Sequence, residues 1–447
     1  MKSIVLAGVV AGALGASALD FEFACDRADV IYRLGETSVV RVKVSDGKAP
    51  AAAGRVEWRI GNFGDTFFTN GVHDVAKEGS ELVLSRKLDR VGFTRFDVRE
   101  APDAKNRRPQ WKMWGVACEP ERIRPGGPCP ADFRDFWRSA VAAYDAKVPE
   151  GVRTVRLDDR CNAKRDFYRV EIPTVHGRTV YGFYSEPKGV TEATSLPLLV
   201  TVPGAGPSSD FTGGDDRAFR LFVNVHYYLP AKPAAKHSPE REALQKAEDA
   251  EWNVKFPMKD PRYCRAGIAA GREEYFYYDV ILAVSRAVDW AVRRRGVDRS
   301  RVLYSGTSQG GGFGLYLCGL NRHFTRATIF VPALTDLLGF RDDRRESGWP
   351  RLVESQLDGN KAAAERNAPY FDGVNFARSI TFPIRYLVGG ADTVCPPMAG
   401  LSAFNVTPSS DKAIEIVPGQ GHAVGGAKYR AYEEWLMRRE PRGTAAE

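Results

Sequence analysis

Hydrophobic and polar residues alternate through the first quarter of the chain. Residues 40–44 (VRVKV) and 56–60 (VEWRI) are apolar at every second position, and residues 80–88 and 93–98 resemble two further strands. A period of two is typical of strands with one buried face, and turn residues separate these runs. The pattern therefore predicts an all-β, immunoglobulin-like sandwich over residues 19–117.

The pattern changes after a segment rich in Pro and Gly, which we interpret as a linker at residues 118–130. Residues 132–146 have helical periodicity behind Asp132, a residue type that favours the N-cap. Later apolar runs are continuous rather than alternating, as in parallel strands buried on both faces; they are residues 198–202, 302–304, 384–388 and 413–417. With an amphipathic helix at residues 274–294, these runs predict an α/β domain over residues 131–440.

Two excursions interrupt the α/β pattern. Residues 232–263 are polar and rich in Lys and Glu, with a helical middle at residues 239–249, and a second excursion covers residues 334–378. Such insertions often form lids or specificity loops. In the second, the candidates for a pocket wall or a packed cluster are Trp349, Tyr370 and Phe371.

The most informative motif is G-T-S-Q-G at residues 306–310. It lies between a strand-like run and a helix-like run at residues 313–318. G-x-S-x-G between a strand and a helix is the nucleophile elbow of α/β-hydrolases, which lifts a serine hydroxyl above the sheet. This context makes Ser308 the candidate nucleophile of an α/β-hydrolase fold, and places its hydroxyl at a helix N-terminus.

Two later strands end in residues that fit a catalytic triad. Asp392 follows the strand at 384–388, and His422 follows the strand at 413–417. The order Ser, Asp, His is that of α/β-hydrolases, in which the histidine takes the serine proton and the aspartate orients the imidazole. His226 is the alternative base and Asp336 the alternative acid.

A second donor to the oxyanion is expected after an earlier central strand. Residues 203–207 read P-G-A-G-P directly after the run at 198–202, and small residues let backbone amides approach a substrate. We assign the oxyanion hole to the N–H groups of Gln309 and Ala205.

Four stretches resemble one known family. They are G-T-S-Q-G-G at 306–311, D-T-V-C-P-P at 392–397, D-F-R-D-F-W at 132–137 and the Tyr-rich stretch at 263–289. Together they resemble the acetyl xylan esterase and cephalosporin C deacetylase family of α/β-hydrolases over about residues 128–440. The resemblance implies release of acetate from sugar hydroxyls without a metal or cofactor, with Ser308, Asp392 and His422 as the triad.

Three positions depart from that family's pattern. Pro203-Gly204-Ala205 stands where the family usually has His-Gly-Tyr, and residues 223–228 (VNVHYY) replace its Arg-Gly-Gln motif. Ala423 replaces the usual glutamate after the histidine. The missing tyrosine implies a more open pocket. The family often forms oligomers, and an added N-terminal domain could block that packing.

Composition fits a globular enzyme. The 447 residues are 43% hydrophobic and 27% charged, and the formal net charge is +8. The basic residues are scattered and the chain has no zinc-finger, Walker or dinucleotide motif, so a nucleic-acid-binding protein is disfavoured.

The N-terminus has the pattern of a secretory signal peptide. Lys2 precedes an apolar run, and residues 16–18 read A-S-A, an A-x-A cleavage site. We therefore predict a signal peptide at residues 1–18, cleaved after Ala18, and a secreted or periplasmic protein. No other segment is apolar enough for a membrane span.

Seven cysteines remain after that cleavage, and an oxidising compartment would allow some to pair. Cys118 and Cys129 flank the linker, so a disulfide between them would tether the two domains. Cys25 and Cys161 are further candidates, whereas Cys318 fits a buried apolar position.

The sequence predicts a secreted serine esterase acting on acetylated carbohydrate such as acetylated xylan. Two alternatives remain. A prolyl-oligopeptidase-like peptidase shares the triad order but usually carries a β-propeller, for which residues 19–117 are too few. A non-catalytic carbohydrate-binding relative would be favoured if the altered oxyanion loop could not support turnover.

Overall fold

The computed structural model describes residues 19–438 except 48, 65, 104–106, 150, 207, 209–210, 212–213, 215, 228–242, 244–262, 342–345 and 357–359. Most of the predicted excursion at 232–263 therefore lies outside the described residues. The structure changes character near Cys118, from strands in two sheets to one large sheet with helices on both faces.

The described residues of the N-terminal region form nine strands and one short helix. They are β1 (Asp20–Cys25), β2 (Ile31–Tyr32), β3 (Thr37–Asp46), β4 (Ala49–Pro50), β5 (Arg55–Gly61), β6 (Phe67–Asp74), α1 (Val75–Glu78), β7 (Glu81–Lys87), β8 (Gly92–Glu100) and β9 (Lys112–Cys118). One sheet pairs β1, β4 and β7 with β3, and the other has the order β2-β9-β8-β5-β6. All these pairs are antiparallel except β2 with β9.

The two sheets share one hydrophobic core. Val40 and Val42 of β3 face this core together with Phe96 and Val98 of β8, and all four side chains are fully buried. The alternation read from the sequence therefore has a direct cause, because every second residue of these strands turns inward.

The C-terminal region is built on a nine-stranded sheet. Its strands are β10 (Arg153–Arg156), β11 (Arg165–Pro173), β12 (Thr179–Pro187), β13 (Leu196–Val202), β14 (Phe219–Val223), β15 (Val297–Thr307), β16 (Arg326–Phe330), β17 (Ile384–Gly389) and β18 (Lys412–Val417). The order is β10-β11-β12-β14-β13-β15-β16-β17-β18. The six strands from β14 to β18 in that order are parallel, and the other three are antiparallel.

Helices cover both faces of this sheet. Among the described residues after Cys118, the helices are α2 (Phe133–Lys147), α3 (Phe276–Val292), α4 (Gln309–Leu320), α5 (Lys361–Asn367), α6 (Gly373–Ala377), α7 (Pro397–Val406) and α8 (Gly426–Met437). Short 3₁₀ turns add Pro120–Arg122, Tyr263–Arg265, Gly339–Arg341 and Ala368–Phe371. Leu198 and Val200 of β13 share a core with α3 and α4, whereas Leu199 packs against Leu436 of α8 on the other face. Burial on both faces explains the continuous apolar runs.

A separate cluster joins the two regions. Phe93 of β8 and Ala117 of β9 pack against Met398 and Leu401 of α7, and all four side chains are buried. The N-terminal sheet therefore contacts the helix that follows Asp392.

One local prediction is confirmed only in position, and another is wrong. Asp132 is the N-cap residue of α2, but its side chain forms no cap bond and its carboxylate accepts a hydrogen bond from the Tyr370 hydroxyl. Cys118 and Cys129 are not linked, and all seven cysteines are free. Cys118 faces the core between the N-terminal sheets, whereas Cys129 packs against the core of the C-terminal region.

No helix among the described residues has the length and hydropathy that crossing a bilayer requires.

Candidate active site

Ser308 lies at a tight turn between β15 and α4. Its φ is 60° and its ψ is −121°, a combination that a non-glycine residue rarely adopts and that marks local strain. A Cβ at Gly306 would lie 2.4 Å from the Gly310 carbonyl oxygen, and one at Gly310 would lie 2.1 Å from the Val202 carbonyl oxygen. The motif therefore needs its glycines because the backbone approaches itself closely, not because their φ is positive.

The three predicted triad residues come together. His422 Nε2 lies 2.8 Å from Ser308 Oγ, and His422 Nδ1 lies 2.9 Å from Asp392 Oδ2. Since an ionised carboxylate only accepts hydrogen bonds, Nδ1 carries the proton and Nε2 is left to accept from the serine hydroxyl. The Asp392 side chain is fully buried, whereas the imidazole is 29% exposed.

Backbone amides fix the aspartate. The N–H groups of Val394 and Cys395 both donate to Asp392 Oδ1 at 2.9 Å, so each carboxylate oxygen has a partner. Burial and the charge of Asp392 raise the pKa of the Cys395 thiol, which stays neutral beside Ser308.

The loops that carry the acid and the base hold each other by their backbones. We call residues 389–395 the acid loop and residues 417–422 the base loop. The Gly390 N–H donates to the Val417 carbonyl at 2.8 Å, and the Ala391 N–H donates to the Gln420 carbonyl at 3.0 Å. A Cβ at Gly389 would lie 2.3 Å from the Gln420 carbonyl oxygen, so this contact leaves no room for a side chain.

The predicted oxyanion loop, residues 203–206, is held by side chains. The Gln309 amide donates from Nε2 to the Gly204 carbonyl at 3.0 Å, and its Oε1 accepts from the Tyr263 hydroxyl at 2.9 Å. The Tyr263 hydroxyl also accepts the Gly206 N–H at 3.1 Å. Ala205 is exposed between these two supported glycines, and Gln309 is the first residue of α4, where helix N–H groups have no acceptor in a preceding turn.

Neither alternative residue takes part in this arrangement. His226 is fully buried against the Tyr263 ring, and burial lowers the pKa of His226 to about 3, so its imidazole is neutral. Asp336 accepts hydrogen bonds from the Gly126 N–H at 2.7 Å and from the Ser402 hydroxyl at 3.1 Å. Its carboxylate therefore supports the linker and α7 rather than His422.

Comparison with known proteins decides the family. The profile of the acetyl xylan esterase family matches residues 119–438, which is more than half of the chain. The chain belongs to the acetyl xylan esterase family. Members of this family are carboxylic ester hydrolases.

A curated relative and two solved structures agree with this assignment. The acetyl esterase Axe7A of Xylanibacter ruminicola is 26% identical over 405 residues, which cover 89% of this chain and 85% of that protein. An acetyl xylan esterase from Paenibacillus sp. R4 is 23% identical with a TM-score of 0.58, over 71% of this chain and 98% of that one. One from Thermoanaerobacterium sp. JW/SL YS485 is 18% identical with a TM-score of 0.56, over 71% of this chain and 97% of that one. These two likenesses support the mixed α/β fold with a mainly parallel sheet.

In this acetyl xylan esterase family member, two tyrosines that support Gln309 were not predicted from the sequence. Tyr277, like Tyr263, donates to Gln309 Oε1. Tyr263 lies in a stretch that carries the family resemblance, but no spacing rule connects it to Gly206, from which it is 57 residues away.

Two of the three candidate aromatics of the second excursion lie in a packed cluster, which was one of the two predicted alternatives. Tyr370 and Phe371 are buried and pack edge-on against Phe136 and Trp137, respectively, so they belong to the core. Among the residues described, no group of three or more His, Cys, Asp and Glu side chains is placed to hold a metal ion.

Proposed function

We propose that this family member is a secreted serine esterase that removes acetyl groups from acetylated carbohydrates, such as acetylated xylan or xylo-oligosaccharides. The observation that carries the proposal is the unbroken line of hydrogen bonds from Ser308 through His422 to the buried Asp392. Serine alone is a weak nucleophile at neutral pH, and this line supplies both the base and the group that orients it.

In the first half of the reaction, Ser308 Oγ attacks the acetyl carbonyl carbon while its proton passes to His422 Nε2. The carbonyl oxygen becomes an oxyanion, for which the N–H groups of Gln309 and Ala205 are the donors. Asp392 stabilises the imidazolium through Nδ1–H. The C–O bond to the sugar then breaks, and His422 gives its proton to the departing sugar oxygen.

The second half repeats these roles with water. His422 takes a proton from a water molecule, whose oxygen attacks the acetyl-serine carbonyl. Collapse of the second oxyanion breaks the bond to Ser308 Oγ, which recovers a proton from His422 as acetate leaves. The ester therefore yields one alcohol and one acid per water consumed.

The curated relative and both solved structures are named as acetyl or acetyl xylan esterases, which supports acetylated carbohydrate as the substrate class. The family assignment also favours ester hydrolysis over the peptidase alternative. The described N-terminal strands also argue against the peptidase, because they pack as two sheets around one core rather than as propeller blades.

We further infer that a signal peptide at residues 1–18 precedes two domains. They are an immunoglobulin-like sandwich at 19–117 and an α/β-hydrolase catalytic domain at 131–440, joined by the linker at 118–130. The shared core of the two N-terminal sheets supports the sandwich. Export with cleavage after Ala18 follows from the charged start, apolar run and A-x-A pattern.

The deciding experiment compares hydrolysis of p-nitrophenyl acetate by the wild type and by Ser308→Ala, followed by acetate release from acetylated xylan. We expect kcat to fall by about 10⁴-fold or more in the variant. Equal rates in both proteins would contradict the serine mechanism. Hydrolysis of the small ester without acetate release from xylan would contradict the polysaccharide assignment alone.

A further inference from the structure

One strand of the N-terminal region contacts both loops that carry the acid and the base. Along the edge of β9 that faces away from β8, β2 pairs only with Ala117 and Cys118. The Gly115 N–H on this edge donates to the Pro418 carbonyl at 2.9 Å. Pro418 belongs to the base loop, four residues before His422, so the N-terminal sheet is hydrogen-bonded to the segment that carries the base.

The same residue packs against the acid loop. A Cβ at Gly115 would lie 1.9 Å from the Gly390 carbonyl oxygen and 3.1 Å from Gly390 Cα. Gly390 in turn is packed against the base loop, because its own Cβ would lie 2.8 Å from Pro418 Cα. The backbones of β9, the acid loop and the base loop are therefore in mutual contact, and we call this arrangement the glycine stack (Gly115, Gly389 and Gly390 with residues 418–421).

The interface around the stack is apolar and partly to fully buried. Phe93 and Ala117 of the N-terminal sheet pack against Met398 and Leu401, and Ile414 and Ile416 of β18 lie against the same cluster. The contact between the two regions therefore extends along β18 to its carboxyl end, where Gly115 binds the base loop at Pro418. A buried apolar support of this kind holds a neighbouring loop in one arrangement.

We propose that Gly115 is a positioning residue for the esterase site, and that the N-terminal sheet fixes Asp392 and His422 relative to each other. The proposal rests on the proposed function. Gly115 lies outside residues 119–438, the part that the family profile matches, so the contact comes from the region that precedes the matched part.

The test is the steady-state kinetics of Gly115→Ala in the full chain with p-nitrophenyl acetate. The added methyl must displace the acid loop by about 1 Å, and a misplacement of that size at a catalytic centre costs up to about 10²-fold in rate. We expect kcat to fall at least about tenfold with KM within about twofold, because substrate binding is not altered.

The matched control is Gly71→Ala, in β6 of the same sheet. Its Cβ would lie 2.5 Å from the Trp58 ring, so it disturbs the N-terminal region without touching the two loops. The expected result is a lowered melting temperature with kcat unchanged. Wild-type kcat in Gly115→Ala, or an equal loss of kcat in Gly71→Ala, would overturn the proposal.

A milder pair covers the case in which Gly115→Ala does not fold. Phe93 and Phe96 are both buried on β8, but Phe93 faces α7 and Phe96 faces the core between the N-terminal sheets. Phe93→Leu should lower kcat about two- to threefold and Phe96→Leu should not, although both remove buried ring atoms. Equal kcat values in this pair would also overturn the proposal. If the wild type lacked hydrolysis dependent on Ser308, the proposed function would fail instead.

Discussion

The two sides of the candidate active site are held in different ways. On the side of the acid and the base, backbone packs on backbone: Gly389 leaves no room for a Cβ beside Gln420, and two amides cross between the loops. On the oxyanion side, the amide of Gln309 and the hydroxyl of Tyr263 hold a loop in which Gly204 has open space around it.

This difference predicts how each side responds to change. Close backbone packing tolerates no added atom, since protein interiors relax only partly around an intruding group. A side-chain hydrogen bond contributes about 0.5–1.5 kcal/mol, so its loss weakens a loop by a moderate, graded amount. Substitutions on the acid and base side should therefore cause large losses of kcat, and substitutions on the oxyanion side should cause moderate ones.

The largest effect should come from the acid itself. Asp392→Asn keeps the shape of the side chain but removes the pure acceptor that sets the His422 tautomer, and we expect kcat to fall by about 10³- to 10⁴-fold. Asp336→Asn is the control, because its carboxylate binds Gly126 and Ser402 instead. A comparable loss of kcat in Asp336→Asn would show that the acid is assigned wrongly.

The next test adds one methyl group to each side. Gly389→Ala places a Cβ 2.3 Å from the Gln420 carbonyl oxygen and should reduce kcat about 10²-fold. Gly204→Ala meets no atom within 4 Å and should change kcat less than about threefold. Steady-state rates on p-nitrophenyl acetate measure both. Similar losses in the two variants would remove the proposed contrast between backbone and side-chain support.

A smaller effect is expected from removing one hydroxyl on the oxyanion side. Tyr263→Phe loses the acceptor for the Gly206 N–H and the donor to Gln309, whereas Tyr277→Phe loses only a donor to Gln309. We expect kcat to fall about tenfold in the first variant and about two- to threefold in the second.

A second measurement on Tyr263→Phe is the inhibition constant of a boronic acid that forms a tetrahedral adduct with Ser308. It should rise in step with the loss of kcat/KM in Tyr263→Phe, because both report on the oxyanion donors. If Tyr263→Phe lost activity while the boronic acid bound as tightly as to the wild type, Tyr263 would not support those donors.

The smallest expected change concerns pH: the loss of kcat in Tyr263→Phe should be the same at every pH tested. Burial raises the pKa of Tyr263 to about 12, so the hydroxyl remains protonated and keeps donating to Gln309 over the working range. The ratio of wild-type to Tyr263→Phe kcat should stay constant from about pH 6 to about pH 9. A ratio that falls towards alkaline pH would mean that the hydroxyl ionises, in conflict with its burial.

Sequence reasoning reached the parts of the site that have local signatures. The elbow is a strand, a glycine-flanked serine and a helix in direct succession, and the later strands each end in a glycine-rich loop before Asp392 and His422. The order of these elements along the chain can be read from the sequence, and the structure brings the three side chains within hydrogen-bonding distance.

The supports around the site could not be found in the same way. Tyr263 contacts Gly206 across a separation of 57 residues in the sequence, and Gly115 contacts Gly390 across two regions of the molecule. Neither residue belongs to a short motif. The Cys118–Cys129 prediction failed because Cys118 faces the core between the N-terminal sheets, on the same side of β9 as Trp114 and Val116.

The glycine stack also has a consequence for the divergence of such enzymes. A contact made only of backbone atoms offers selection no side chain to exchange, so mutation can abolish it but cannot adjust it. Chimeras that join this catalytic sheet to a different N-terminal domain should be active only where the contacting strand of that domain has glycine at the position of Gly115. Gradual change by substitution should therefore be confined to the oxyanion side, where Tyr263 and Gln309 form the support with side chains.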